Sequence, residues 1–371
     1  MRLLLIYLCF ILFFGCKTEK RSQLTNQSLK YAKRLQINKY DNFTIVTINQ
    51  NLENNNLNDK YILYKKNTIL PDSLKKYTQI AVPIERIVVT STTHIPSLEM
   101  LRKEHTLVAF PSTNYISSKK TRALINNNKI KDLGNNQSMN TELILSLKPN
   151  VLVSFLVGAK DKNLEWLSKH NIPVLNNADW LEETPLGKAE WIKFFGELYD
   201  MPNEANVIFN EIEKQYLQTA ALAKTSKKIP IVFSGSEYEG KWYVPQGNSW
   251  AATFLKDANC NYIWSNTYGS GSITLMFEEV LDKAKNADFW IGSGQYSAYN
   301  ELLKSNYNYA HFKSFKNKSI YTFSHNKGET GGIIYYELAP NRPDWVLKDL
   351  VKILHPELLP THKLYFFKPL N

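Results

Sequence analysis

The sequence predicts an α/β protein of two lobes. Each lobe has a central mainly parallel sheet, one long helix joins them, and a small β-hairpin extension precedes them. Three observations carry this. Short, continuously apolar runs alternate with helical patterns, which is how strands covered on both faces of a parallel sheet read. One long helical stretch interrupts the alternation near the middle, and the alternation then restarts. A length of 371 residues exceeds one core of ordinary size, so two compact lobes are expected.

The elements follow in chain order. Met1-Arg2 gives a positive charge, Leu3 to Phe14 is an unbroken apolar run, and Gly15-Cys16 stands before the polar Lys17 to Lys20. A basic start, a short apolar core and a small residue at the cut make a secretory signal over residues 1–15. The run falls short of the ~20 residues a spanning helix needs. Cys16 in this position resembles a bacterial lipobox. That likeness implies an acylated thiol at the mature N-terminus and a protein tethered to the cell envelope, on the periplasmic face of the inner or outer membrane. Residues 16–83 read as a tether and a β extension, with strands at Phe43–Ile48 and Tyr61–Tyr64 around an Asn-rich loop.

The N-terminal α/β lobe is expected over 84–187. Arg86–Val89, Leu107–Phe110, Val151–Ser154 and Ile172–Leu175 are its strands. Ser97–Lys103, Thr141–Leu147 and Leu164–His170 are helical, and Pro149 ends the second of these patterns. Residues 188–223 carry the long helical pattern, broken only by Met201-Pro202. The C-terminal lobe, 224–371, resumes with Ile229–Phe233, Ala251–Lys256, Glu278–Lys285, Phe289–Ile291 and Ser319–Phe323, and closes on the helix Trp345–Leu354.

Composition narrows the function. The formal net charge is +11, but the basic residues are scattered among asparagines without a run of five, as on an ordinary solvated surface. With an export signal, nucleic acid is set aside as a partner. Of 3 cysteines, Cys9 leaves with the signal and Cys16 is lipidated. Cys260 stands alone, so neither a disulfide framework nor a cysteine-built zinc site is available. No Gly-x-Ser-x-Gly elbow, His-Glu-x-x-His, P-loop or Rossmann glycine fingerprint occurs, so an enzyme is the lesser expectation.

The order of segments resembles the helix-linked class of substrate-binding proteins of ABC importers, which serve ferric siderophores, haem and vitamin B12. The likeness rests on Pro83 to Val89, on Asp132-Leu133-Gly134 followed by Asn140 to Asn150, and on Phe277 to Leu281 leading into Ala287 to Ile291. Arg342-Pro343-Asp344 through His355-Pro356 completes it. Asn150 stands where the family usually has Asp. The resemblance implies a monomeric binding protein without a resident cofactor. Its cargo would be a metal chelate (ferric siderophore, haem or cobalamin), and its partners an ABC permease and that permease's ATPase. It also implies one docking carboxylate per lobe for permease arginines, at Glu142 and Glu278, with Glu279 competing in the second lobe. A carboxylate in a first helical turn is favoured by the dipole in any case.

Ligands of parallel α/β sheets lie outside the C-terminal strand ends. Reading those ends gives His94, Tyr115 and Trp180 in the first lobe, and Tyr238, Trp242, Trp250 and Tyr296 in the second. Aromatic rings with polar tips suit a bulky, flat or macrocyclic ligand, and Arg342 would pair an anionic group on it. The axial tyrosine that haem-binding members carry before the diagnostic block is missing from Leu133 to Gln137, which lowers haem among the candidates. The 7 histidines are dispersed, with only His94 and His325 at strand ends, so a bare-metal site is not expected. A surface lipoprotein that captures ligand for an outer-membrane receptor, without an ABC partner, is the alternative reading.

Overall fold

The computed structural model describes residues 25–27, 29–50, 58–155 and 161–371; the signal segment and Cys16 lie outside them. The N-terminal extension is larger than a hairpin. Strands β1 (Thr25–Gln27), β2 (Leu35–Lys39), β3 (Phe43–Asn49), β4 (Asn58–Lys65) and β5 (Thr78–Val82) form one five-stranded sheet in sequence order. The expected hairpin is its centre, with Ile45 opposite Ile62. The flanking strands were hidden because they are short and half polar: in β2 only Leu35 and Ile37 turn inward.

Buried carboxylates fasten this extension. Glu190 accepts the backbone N–H groups of Lys30, Tyr31 and Ala32 at 3.0, 2.8 and 2.9 Å. Glu182 accepts those of Lys33 and Arg34 at 3.0 and 2.9 Å. Leu35, Ile37 and Val46 share one core with Val89, Ile95, Phe194 and Phe209, so the extension is part of the first lobe's packing.

The first lobe is built on β6 (Ile87–Val89), β7 (Leu107–Phe110), β8 (Lys131–Asp132), β9 (Val151–Ser154) and β10 (Val174–Asn176). They pair all parallel in the order β10-β9-β6-β7-β8. In the second lobe β11 (Ile231–Ser234), β12 (Ser236–Tyr238), β13 (Lys241–Pro245), β14 (Asn261–Tyr262), β15 (Ser272–Leu275), β16 (Phe289–Ile291), β17 (Ile320–Thr322) and β18 (Lys368–Pro369) divide between two sheets. The main one runs β14-β11-β16-β17-β18 and is parallel except for β18; β12-β13-β15 is a small antiparallel sheet.

The two lobes repeat one device that explains why their motif blocks look alike. Asn150, just before β9, accepts the N–H groups of Glu85 and Arg86 at 2.9 and 2.8 Å, where the chain enters β6. Asp288, just before β16, accepts the N–H of Ile231 at 2.9 Å, where the chain enters β11. Either side chain satisfies backbone donors that the neighbouring strand leaves open. Asparagine therefore serves where Asp is usual, because only an acceptor oxygen is required.

The long helical pattern over 188–223 is not one helix. It comprises Pro185–Ala189, Ile192–Leu198 and Pro202–Ala223. Asp200 takes a left-handed φ of 53° and Pro202 opens the last helix, where its missing N–H costs nothing. That helix, about 33 Å long at 1.5 Å per residue, belongs to both lobes. Phe209 and Ile212 lie in the first lobe's core, Tyr216, Ala220 and Ala223 in the second's. Among the described residues no helix is long and apolar enough to cross a membrane.

Candidate functional site: an aromatic cleft at the strand ends

Two cavities share Tyr336: the smaller lies between the lobes, and the larger is walled by the second lobe alone. The smaller, about 280 Å³, is walled by Thr90–Thr92 after β6, Phe110 at the end of β7, Phe155 after β9, and Gly332, Ile333 and Tyr336 from the second lobe. The larger, about 710 Å³, is walled by Ser234–Ser236 after β11, Gly292 and Gly294 after β16, and Phe323 after β17. Tyr238, Tyr243, Trp250, Tyr296 and Tyr335 complete it. The C-terminal ends of both parallel sheets thus open on one cleft, as strand-end logic requires.

The segment from Asn326 to Asn341 closes the base of this cleft by crossing to the first lobe. Thr330 donates to the carbonyl of Asn114 at 2.6 Å, and the amide of Asn341 donates to that of Thr93 at 2.8 Å. Glycines allow the approach: a Cβ on Gly328 would stand 2.6 Å from Ser117 Cα, and one on Gly332 2.6 Å from the Tyr115 carbonyl oxygen. Beside this crossing, helices Ile95–Met100 and Lys119–Asn126 and residues Lys327 to Leu338 enclose a further cavity of about 820 Å³, which touches no strand end.

Of the residues expected at the cleft, Tyr115 lies on the wall of the smaller cavity, and Tyr238, Trp250 and Tyr296 on that of the larger. Trp180 is half exposed at the margin, its indole donating to the carbonyl of Phe155 at 2.9 Å. Three others are elsewhere. His94 is fully buried against Phe195, and burial pushes its imidazole down to about 4 despite the nearby Asp179. It is a neutral core residue of the tight turn Thr92–His94 that follows β6, the central strand of its sheet. Trp242 is also fully buried, because β13 alternates and its even positions face Phe233 and Trp290. Arg342 binds Asp344 through two nitrogens at 2.9 and 2.6 Å and lies 3.7 Å over the Trp345 ring, so it lines neither cavity.

The sequence reading missed Phe110, Phe155, Phe323, Tyr335 and Tyr336. The first three were within reach of the same rule, since each ends or directly follows a strand. Tyr335 and Tyr336 were not, because they arrive on a helix after the Gly331-Gly332 crossing. Burial raises both phenols, so at neutral pH they present O–H groups rather than phenolates. His325 turns its Nε2 to the Tyr296 carbonyl at 3.1 Å. Among the described residues no group of three or more His, Cys, Asp or Glu is placed to hold a metal. Burial pushes the Cys260 thiol up to about 12, out of the range of a nucleophile at neutral pH.

Glu142 and Glu278 are exposed in the first turns of helices Thr141–Leu147 and Phe277–Ala284. Each helix feeds a parallel strand, β9 or β16, and so runs against the strand direction. Its N-terminus therefore lies level with the C-terminal strand ends, beside the cleft. Glu279 folds back and accepts the N–H of Met276 at 2.9 Å, a capping bond of its own helix.

Two α/β lobes, joined through helices and closing on an aromatic cleft, make this a two-lobed solute-binding protein of the helix-linked class. Residues 87–326 match the family described as periplasmic binding protein, and the chain belongs to that family. An uncharacterized lipoprotein of Methanocaldococcus jannaschii is 26% identical over 96% of this chain and 92% of its own length. The fold is that of a periplasmic heme binding protein from Pseudomonas aeruginosa (TM-score 0.57, 17% identity, 78% of this chain and 98% of that one). It is also that of an ABC-type Fe3+-hydroxamate transport system structure from Saccharomonospora viridis (TM-score 0.54, 15% identity, 74% and 94%).

Proposed function

We propose that this chain is a lipid-anchored extracytoplasmic binding protein that captures an iron complex or a corrinoid in the inter-lobe cleft. It then delivers this cargo to an ABC permease and its ATPase. The observation that carries the reading is that the strand ends of both sheets meet at Tyr336, with Phe110 and Phe155 of the first lobe on one side and Trp250, Tyr238, Tyr243, Tyr296 and Tyr335 of the second on the other. Flat aromatic faces offer area to a bulky ligand, and their hydroxyls fix its orientation. The named cargo of the structural neighbours, heme and Fe3+-hydroxamate, supports a metal chelate. The lipoprotein relative supports acylation at Cys16, on the envelope side of a membrane.

Delivery is assigned to Glu142 and Glu278, one exposed carboxylate per lobe beside the cleft mouth, where permease arginines can form bidentate pairs. Glu279, already used as a cap, leaves Glu278 as the second docking residue. The test is the absorbance spectrum and mass of whatever co-purifies with protein made in its native host. A visible band with a matching iron or cobalt complex is expected. A metal-free small molecule held in the cleft would overturn the chelate reading.

A further inference from the structure

The charge on the cleft walls indicates how the site chooses among chelates, an inference that rests on the chelate-binding reading above. The chain carries 45 Lys and Arg residues, yet among the described residues no lysine, arginine or histidine lines either cavity. Among the described residues the one charged side chain on the walls is Glu237, which accepts the Tyr309 hydroxyl at 2.9 Å. Lys188 lies behind Trp250, 5.5 Å from the ring centroid, and is buried. Its ammonium donates to the carbonyls of Asp179 and Trp180 at 3.1 and 2.7 Å. Arg342, the expected anion partner, is held by Asp344 and Trp345.

We infer that the cleft selects by charge, admitting uncharged or cationic chelates and discriminating against anionic ones. An anion leaving water needs a compensating cation or a set of converging strong donors. These walls offer hydroxyls, amides and ring faces, and the negative face of an aromatic ring attracts cations rather than anions. Glu237 adds direct repulsion. The net positive charge of the whole chain does not reverse this, because at ~0.15 M salt surface charge is screened beyond about 8 Å. Selectivity at that ionic strength therefore belongs to the cleft.

The experiment follows intrinsic tryptophan emission of the full mature chain at that ionic strength. It is titrated with an uncharged ferric trihydroxamate, an uncharged cyanocorrinoid and a trianionic ferric tricatecholate. At least one uncharged complex should bind about tenfold or more tightly than the tricatecholate. Glu237→Gln should narrow that ratio. Tyr238→Arg, which sets a cation on the exposed rim, should narrow it further by strengthening tricatecholate binding. Tricatecholate binding as tight as the best uncharged complex in the native chain overturns the inference and leaves the chelate reading intact. Failure of all three complexes to bind overturns the chelate reading itself, and the inference with it.

Discussion

The carboxylate of Glu337 in the second lobe accepts the backbone N–H of Ser117 in the first lobe at 2.6 Å. Its other oxygen accepts Ser118 N–H at 2.9 Å, so one side chain holds two consecutive amides across the lobe boundary. On the first lobe, the hydroxyls of Ser118 and Thr121 donate to Glu99. Burial, and then the charge of Glu99, push Glu337 up to about 7, although the two amides favour its ionised form.

A pH dependence follows from this pair. The folded state binds the Glu337 proton more tightly than the unfolded chain, whose carboxyl has the ordinary value of 4.5. The stabilisation is complete below about 4.5 and is lost as pH rises through about 7. The melting temperature should therefore fall as pH rises over that window. Glu337→Gln, which accepts only one of the two bonds, should flatten the dependence. Glu337→Ala leaves one buried and one half-buried N–H group open and should cost about 1–3 kcal/mol. A Glu337→Gln melting profile with the native pH slope would place the titration elsewhere.

Trp242 and Trp250 should behave oppositely. Trp250 lies on the cleft wall, and Trp250→Ala should weaken chelate binding by more than about 1 kcal/mol with a modest loss of stability. Trp242 sits among Phe233, Phe277, Trp290 and Phe312, and Trp242→Ala should cost about 3–5 kcal/mol of stability. The two are told apart by a thermal melt beside a ligand titration. A Trp242→Ala protein of native stability would contradict its burial.

Ligand binding should change the overall dimensions little. The helix Pro202–Ala223 is embedded in both cores, and Thr330, Glu337 and Asn341 bridge the lobes. Hinge closure of many degrees would have to break these contacts. Small-angle scattering with and without chelate should give nearly the same radius of gyration, and a marked contraction would count against this linkage.

What the sequence made legible follows from how strongly each segment's pattern is constrained. Ile87–Val89, Leu107–Phe110 and Val151–Ser154 are covered on both faces, so all their positions but the terminal Ser154 are apolar and the strands stood out. The small sheet of β12, β13 and β15 has one wet face, and its alternation over three to five residues was lost among loop aromatics. That loss misplaced Trp242: a strand period of two buries it while exposing Tyr243. Strand-end reasoning found Tyr115, Tyr238 and Tyr296 because they follow the parallel strands β7, β11 and β16, whereas Trp250 reaches the wall at the start of the helix after the antiparallel β13. It failed for Tyr336, whose place depends on a crossing made possible by Gly328 and Gly332, a contact between segments some two hundred residues apart. His94 satisfied the same rule yet turned inward, since a rule about position in the chain says nothing of side-chain direction.

The acyl anchor is tested at Cys16, which lies outside the described residues. Cys16→Ala should abolish palmitate labelling and shift the protein to the soluble fraction. Persistence of the variant in carbonate-washed membranes would refute the lipobox reading.

Glu142, Glu278 and Glu279 separate docking, ligand binding and helix capping. Glu142 and Glu278 are exposed beside the cleft mouth but are not on its walls. Glu142→Ala and Glu278→Ala should therefore leave chelate affinity unchanged. Stimulation of the transporter's ATPase should fall, because truncating a charge-assisted contact costs about 2–5 kcal/mol when it is buried at the interface, and less at a rim. Glu279→Ala should do neither. It removes the bond to the Met276 N–H and should cost about 0.5–2 kcal/mol of stability, with ATPase stimulation retained. The ordering also discriminates within the pair: if Glu279→Ala impairs delivery while Glu278→Ala does not, the capping carboxylate leaves its helix to dock. If neither Glu142→Ala nor Glu278→Ala impairs it, the exposed carboxylates are only favourable first-turn residues, and delivery must use another surface.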